Sequence, residues 1–257
     1  MFIFILDDGY VKVWKNFNTA DGPARLVTSW PALPEQLQQQ TGERGGLDVL
    51  MEWHDTDKLL TCGMSKEVSL FDVNAEKYIA RFPTQCSYSV TAVTSDKTES
   101  GSGKIFATGC SDGSVRMFDS RISPRDSLVR AFSEHRGCIV NVGIPALNKI
   151  VSASTAGDIK LWDPTNPQPG SLKTIAHEGL CTFAMHQKAS LMASGSTAQS
   201  FVLYTHEGVE CKRVKSYEGF LGQRIPPVLS LAFHPHSILL ATSFSDSTVY
   251  LYSPTKK

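Results

Sequence analysis

Seven histidines and six cysteines are the residues most able to do chemistry in this chain, and their spacing limits what they can do. His234-Pro235-His236 places two imidazoles on one side of an extended segment. No carboxylate or cysteine stands beside them at ligand spacing, so the pattern does not support a metal site. Cys62, Cys86, Cys110, Cys138, Cys181 and Cys211 contain no CxxC pair and have no histidine cluster nearby. They read as reduced thiols, all six buried as small hydrophobes, with no neighbouring cue for activation. The GxSxG, P-loop, GxGxxG and HExxH patterns of nucleophilic, phosphate and zinc chemistry do not occur. The expectation is a non-enzyme with no catalytic residue, no cofactor and no small-molecule substrate.

The least generic stretch is instead suited to contact. In SYEGFLGQRIPPVLSLAFHPH (216–236), Gly219 and Gly222 frame Phe220, and Pro226-Pro227 stiffens the approach to the next apolar run. Tyr217, Gly219, Phe220, Gly222, Gln223 and Arg224 are the candidate protein-binding residues, because aromatic and arginine side chains dominate interface energetics. The same composition also suits a loop that packs between neighbouring structural units.

Bulk properties narrow the partners. Lys+Arg and Asp+Glu both count 25 in 257 residues, which leaves no electrostatic footprint for nucleic acid or an anionic membrane. The apolar opening Phe2 to Leu6 runs directly into Asp7-Asp8-Gly9, too short for a signal-peptide core or a membrane span. A cytosolic globular chain without membrane insertion is expected.

The elements that must carry these residues come from an internal repeat. One pattern recurs: LDDGYVKVW (6–14), GMSKEVSLF (63–71), CSDGSVRMF (110–118), STAGDIKLW (154–162), STAQSFVLY (196–204) and FSDSTVYLY (244–252). The copies end at Trp14, Phe71, Phe118, Trp162, Tyr204 and Tyr252. Within a copy, Val115 and Met117 take one face and Arg116 and Phe118 the other, the period of two that defines a strand. Asp112-Gly113 and Asp8-Gly9 precede two of these strands and favour tight hairpins. Further apolar runs lie upstream, with 48–53, 90–94, 139–144, 180–186 and 228–234 expected as inner strands. Such spacing, with four short strands per unit, predicts an all-β WD-repeat propeller of about five and a half blades. The ring would be an incomplete seven-bladed one forming a single domain over 1–257, with its first blade partial. The chain reads as part of a longer protein, and the unclosed edges at Phe2 to Leu6 and Thr248 to Ser253 are expected to invite pairing and poor behaviour in isolation.

Two insertions, 31–46 and 95–103, have loop composition. The second carries Ser and Thr among charges, hydroxyls able to accept phosphate, and reads first as a solvated surface loop. Propellers of this class often lock each blade with a His, Ser/Thr, Asp and aromatic network, and here that network reads as absent. The carboxylate position six before the aromatic holds Asp only at 8, 112 and 246, and His135 and Trp162 accompany Ala156. Packing is therefore expected to supply most blade cohesion.

The sequence resembles the C-terminal WD-repeat domain of the Raptor family. The likeness rests on Asp7-Asp8-Gly9 with Val13-Trp14-Lys15-Asn16-Phe17, on Gly157-Asp158 through Asp163-Pro164, and on Gly179-Leu180 with His186-Gln187. It rests above all on Tyr217 to Arg224 and on Leu231 to His236. The resemblance implies a non-enzymatic scaffold of TOR complex 1, with TOR kinase and other components of that complex as partners. It also implies recruitment to the lysosomal surface within that complex. The family's caspase-like domain and helical repeats have no counterpart in these residues. A rival reading comes from Phe118-Asp119-Ser120-Arg121, which resembles the ending by which some WD-repeat proteins dock on a cullin-type ubiquitin-ligase adaptor, although the motif's Trp is absent.

Overall fold

The computed structural model describes residues 2–5, 10–15, 23–32, 49–97, 103–168, 170–216 and 223–254. Every regular element among them is a strand. Three strands open the chain, β1 (Phe2–Ile5), β2 (Tyr10–Lys15) and β3 (Arg25–Pro31), and form one sheet in that order. Four sheets of four follow. They comprise β4 (Val49–Trp53), β5 (Lys58–Gly63), β6 (Glu67–Asp72) and β7 (Lys77–Pro83); then β8 (Val90–Ser95), β9 (Ile105–Cys110), β10 (Val115–Asp119) and β11 (Leu128–Phe132). Next come β12 (Ile139–Ala146), β13 (Lys149–Ser154), β14 (Asp158–Trp162) and β15 (Lys173–Ala176), followed by β16 (Leu180–Met185), β17 (Leu191–Ser196), β18 (Ser200–Thr205) and β19 (Glu210–Val214). A last sheet has three strands, β20 (Val228–Phe233), β21 (Leu240–Phe244) and β22 (Val249–Tyr252). Within every sheet, neighbours in sequence pair antiparallel, as short hairpin connections require.

The five expected inner strands are β4, β8, β12, β16 and β20, and the first strands of successive sheets lie against one another. Side chains stitch this ring to neighbouring backbone. Thr91 Oγ1 donates to Ile139 O at 2.7 Å, Asn141 Nδ2 to Phe183 O at 2.7 Å, and the Cys181 thiol to Val228 O at 3.0 Å. Each sheet buries one face against the next, so apolar residues fill clusters shared between sheets. Phe82, Cys86, Phe106 and Phe118 share one such cluster, while Phe132, Ile139 and Trp162 share another. Close approach depends on small residues in the second strands. A methyl group on Gly109 would stand 2.2 Å from Ile139 Cγ2, well inside contact distance.

Turn chemistry matches the sequence where it can be seen. Gly113 has φ +79°, and any side chain on it would meet the His135 carbonyl oxygen at 2.5 Å. Gln199 and Ser247 hold the same left-handed conformation in two other copies without glycine. The Asp8-Gly9 turn lies outside the described residues, as do most of the 31–46 insertion and 98–102 of the second. The second insertion starts later than its composition suggests, because Ser95 ends β8 and both Ser95 and Asp96 are buried. On β22 Val249 is 66% exposed, whereas its equivalent on β18, Phe201, is 1% exposed beneath a fourth strand and a neighbouring sheet.

The cysteines divide. Cys62, Cys86 and Cys110 are buried, Cys138 and Cys181 are half-buried, and Cys211 is exposed, which corrects the expectation that all six are core residues. Cys211 lies on β19, an outermost strand whose residues have no fifth strand to cover them.

Candidate functional site

A complete polar network is present, contrary to the sequence expectation. His135 Nδ1 lies 2.9 Å from Asp158 Oδ2, and His135 Nε2 lies 2.7 Å from Ser152 Oγ. Trp162 Nε1 donates to Ser152 Oγ at 2.8 Å, and Ser154 Oγ donates to Asp158 Oδ1 at 2.5 Å. The carboxylate stands four residues before Trp162, at the start of β14, and folds back toward the histidine. A search at an offset of six meets Ala156 instead. Burial pushes the His135 pKa down despite Asp158 beside it. Burial alone would raise Asp158, but bonds from Ser154 and His135 hold it below the ordinary carboxylate value. The neutral histidine can donate through one ring nitrogen only, toward Asp158, while Nε2 accepts from Ser152.

The fifth sheet repeats this with serines. His177 Nδ1 is 2.6 Å from Ser194 Oγ and Nε2 is 3.1 Å from Ser200 Oγ, with buried Tyr204 in the tryptophan position. The third sheet breaks it. Cys86 occupies the histidine position and the Thr108 hydroxyl, fully buried, has no hydrogen-bond partner among the described residues. Thr108→Val should therefore stabilise the fold by about 1 kcal/mol, because it replaces an unpaired buried hydroxyl by a methyl of similar shape. Equilibrium urea denaturation reads the effect as a raised midpoint, whereas Ser152→Ala, which breaks a satisfied network, should lower it.

The connections from fourth to first strands and the turns between second and third strands share one face of the molecule. Ser111 N donates to Ser89 O, Thr155 N to Cys138 O, Thr197 N to Gly179 O and Ser245 N to Pro227 O, each close to 3 Å. The contact candidate is the connection on this face that joins β19 to β20. Ser216 and Arg224 form an isolated antiparallel bridge, and Ile225 N donates to Lys215 O at 3.1 Å, so the two ends of the segment meet at a neck. Ile225 is fully buried and packs with Phe201, Val228 and Phe244. Gln223 and Arg224 are exposed at that neck. Tyr217, Gly219, Phe220 and Gly222 lie outside the described residues. Ile225 thus packs between sheets as mortar, and Arg224 faces solvent.

Phe118 to Arg121 is engaged within the fold. Phe118 is buried and stacked on Phe106 with centroids 4.9 Å apart. Asp119 holds its own Arg121 bidentately, at 2.9 and 2.5 Å, and that guanidinium lowers the Asp119 pKa. Ser120 Oγ meets His54 Nε2 at 2.9 Å, while His54 Nδ1 meets Ser95 Oγ at 2.7 Å, tying the second sheet to the third. His234 Nδ1 accepts from the backbone of His236 and Ser237 at 3.1 and 3.0 Å, so that imidazole caps its own turn.

A cavity of about 280 Å³ opens among β4, β8, β12 and β16, lined in part by Glu52, Lys97, Asn141, Met185 and Gln187. Its charges are internally matched, with Lys97 Nζ 2.5 Å from Glu52 Oε1.

Antiparallel sheets packed face to face, first strands in succession from β4 to β20 and a His–Ser–Trp–Asp tie define an incomplete WD-repeat propeller. The WD domain, G-beta repeat family model accordingly matches residues 76–119 and 212–253. The chain belongs to the Raptor family, of which it is a WD-repeat segment. It is 32% identical over its whole length to the protein raptor homolog of Dictyostelium discoideum. It is 34% identical over 97% of its length to the target of rapamycin complex 1 subunit mip1 of Schizosaccharomyces pombe. It spans 17% and 19% of those two proteins respectively. Among solved structures, Chaetomium thermophilum Raptor superposes with a TM-score of 0.79 at 28% identity, covering 98% of this chain and 22% of that one. The relatives are scaffold-type proteins and not a known enzyme family.

Proposed function

We propose that this propeller serves TOR complex 1 as a contact module, helping to hold a Raptor-family subunit against TOR kinase and its regulators. Two relatives that match along nearly the whole chain are named as target of rapamycin complex 1 subunits, which supports the reading. The observation that carries it at residue level is the β19–β20 connection. Its base is anchored by buried Ile225 and closed by the Ser216–Arg224 bridge, and the exposed Arg224 sits on that rigid neck. An anchored neck lowers the entropy lost on binding. Nothing in the arrangement resembles an acid, base or nucleophile aimed at a substrate, so the mechanism is adhesion. Ligase-adaptor docking finds no corresponding support, since Arg121 is folded onto Asp119 and Ser120 is bonded to His54.

The test is Phe220→Ala with Arg224→Ala in the full-length subunit. Recovery of TOR kinase should fall at least tenfold, because two central interface side chains are worth roughly 2 kcal/mol each or more. Thermal melting of the purified subunit checks that the propeller stays folded. Unchanged recovery with a folded propeller would confine this connection to packing.

A further inference from the structure

The two thiols Cys86 and Cys110 are brought together by chain folding. Both belong to one buried cluster shared between the second and third sheets. Val90 pairs with Cys110 across β8 and β9, and the chain before Val90 folds back over the turn that follows Cys110. Ser87 N donates to Asp112 Oδ2 at 2.9 Å and Ser111 N donates to Ser89 O at 3.0 Å, pinning the 86–89 segment beside residues 110–112. The two sulfurs lie close enough to influence each other's protonation. Arg116 stands over both: its Nη1 is 2.5 Å from Thr84 O and 4.0 Å from Cys110 Sγ. The Thr84 hydroxyl lies 3.0 Å from Cys86 Sγ. Asp112, 4.0 Å from Arg116, is the acid that faces the group among the described residues.

We infer that Cys86 and Cys110 form a peroxide-sensitive pair, Cys86 the attacking sulfur and Cys110 the resolving one, closing a disulfide between the β7–β8 connection and β9. The chemistry of each sulfur fits its role. Cys110 beside it is the leading cause that lowers the Cys86 pKa against the effect of burial, with Thr84 and Arg116 adding to it. Cys110 is pushed the other way by Cys86 and by burial, so it keeps its proton until Cys86 is oxidised. Cys86 itself is 4% exposed, but it sits in a surface connection between exposed Gln85 and Ser87, and Gln85 holds a left-handed backbone at φ 57°.

The reaction balances as two steps. The Cys86 thiolate attacks one peroxide oxygen, the O–O bond breaks, hydroxide leaves, and Cys86 becomes a sulfenic acid. The Cys110 sulfur then attacks the Cys86 sulfur, the S–O bond breaks, and the hydroxyl leaves as water with the Cys110 proton. Two thiols are oxidised by two electrons and one peroxide is reduced to water.

The full-length subunit, treated with hydrogen peroxide at neutral pH and alkylated, is mapped by mass spectrometry. A peptide pair linked through Cys86 and Cys110, lighter by two hydrogens than its reduced parts, is expected, and dithiothreitol should reverse it. In Cys110→Ser the sulfenic acid should persist and be trapped on Cys86 by dimedone; in Cys86→Ser Cys110 should stay reduced. Before oxidation, iodoacetamide should label Cys86 on the order of tenfold faster than Cys110. Should either variant fail to fold, the mapping of the unmodified protein decides by itself. Peroxide modifying exposed Cys211 while Cys86 and Cys110 both remain reduced would overturn the inference.

Discussion

Lowering the pH from 7 to 5 is expected to cost the propeller about 4 kcal/mol of stability, through His54 and His177 alone. Burial is the leading cause that pushes both pKa values from 6.5 to about 4, with Lys58 adding to it for His54 and Arg213 for His177. Both imidazoles are almost fully covered, 2% and 3% exposed, and both of their ring nitrogens are engaged with serine hydroxyls. The unfolded chain takes up protons near 6.5 and the folded chain resists until about 4, so the unfolded state binds more protons throughout that window. Stability is therefore fully present above pH 6.5 and is lost as pH falls toward 4; at pH 5 each histidine contributes about 2 kcal/mol of that loss. His135, shifted in the same direction, adds to it. Denaturant midpoints measured from pH 7.5 to 5 check the slope. His177→Gln should flatten the profile by about half, and a profile as flat as the wild type's at pH 7 would show that these histidines are not held neutral.

Trp162→Ala should be the most damaging single truncation, at about 4 kcal/mol. Trp162 is 1% exposed, stacks on Phe132 with centroids 4.7 Å apart and meets His135 edge-on at 5.8 Å. It also supplies the donor to Ser152, so its loss opens a cavity and loosens the network that fixes His135 against Asp158. Trp162→Phe keeps most of the packing but removes the indole N–H, and should cost about 1–2 kcal/mol. Urea denaturation followed by far-ultraviolet circular dichroism reads both. Equal costs for the two substitutions would mean that packing contributes nothing beyond the hydrogen bond.

Strand positions were legible because alternation is a local property. Val90, Ile139 and Val228 begin first strands where their apolar runs begin, and Phe71, Phe118, Trp162 and Tyr204 are buried as the repeat requires. Polar clusters were not legible, because sequence offset is a poor guide to distance across a sheet. Asp158 reaches His135 from an offset of four, not six, since the side chain at the start of β14 bends toward the preceding connection. Cys86, Cys110 and Arg116 carry no mutual signal in sequence; the fold gathers them because the 86–89 segment returns over the 110–113 turn. The stretch offered for contact stood out by composition, and the structure adds to it a buried anchor, Ile225, between Arg224 and Pro226-Pro227.

The central claim is that this propeller works by touching other subunits, and lysine cross-linking of the assembled TOR complex 1, followed by mass spectrometry, tests it most directly. Lys212 and Lys215 are exposed on and just after β19, beside the neck at Ser216 and Arg224, and serve as reporters. The account predicts cross-links from Lys212 and Lys215 to a different subunit of the complex, and their loss when Phe220 and Arg224 are both replaced by alanine. Cross-links from these lysines only to residues within the same subunit, in a complex that is otherwise densely cross-linked, would contradict it.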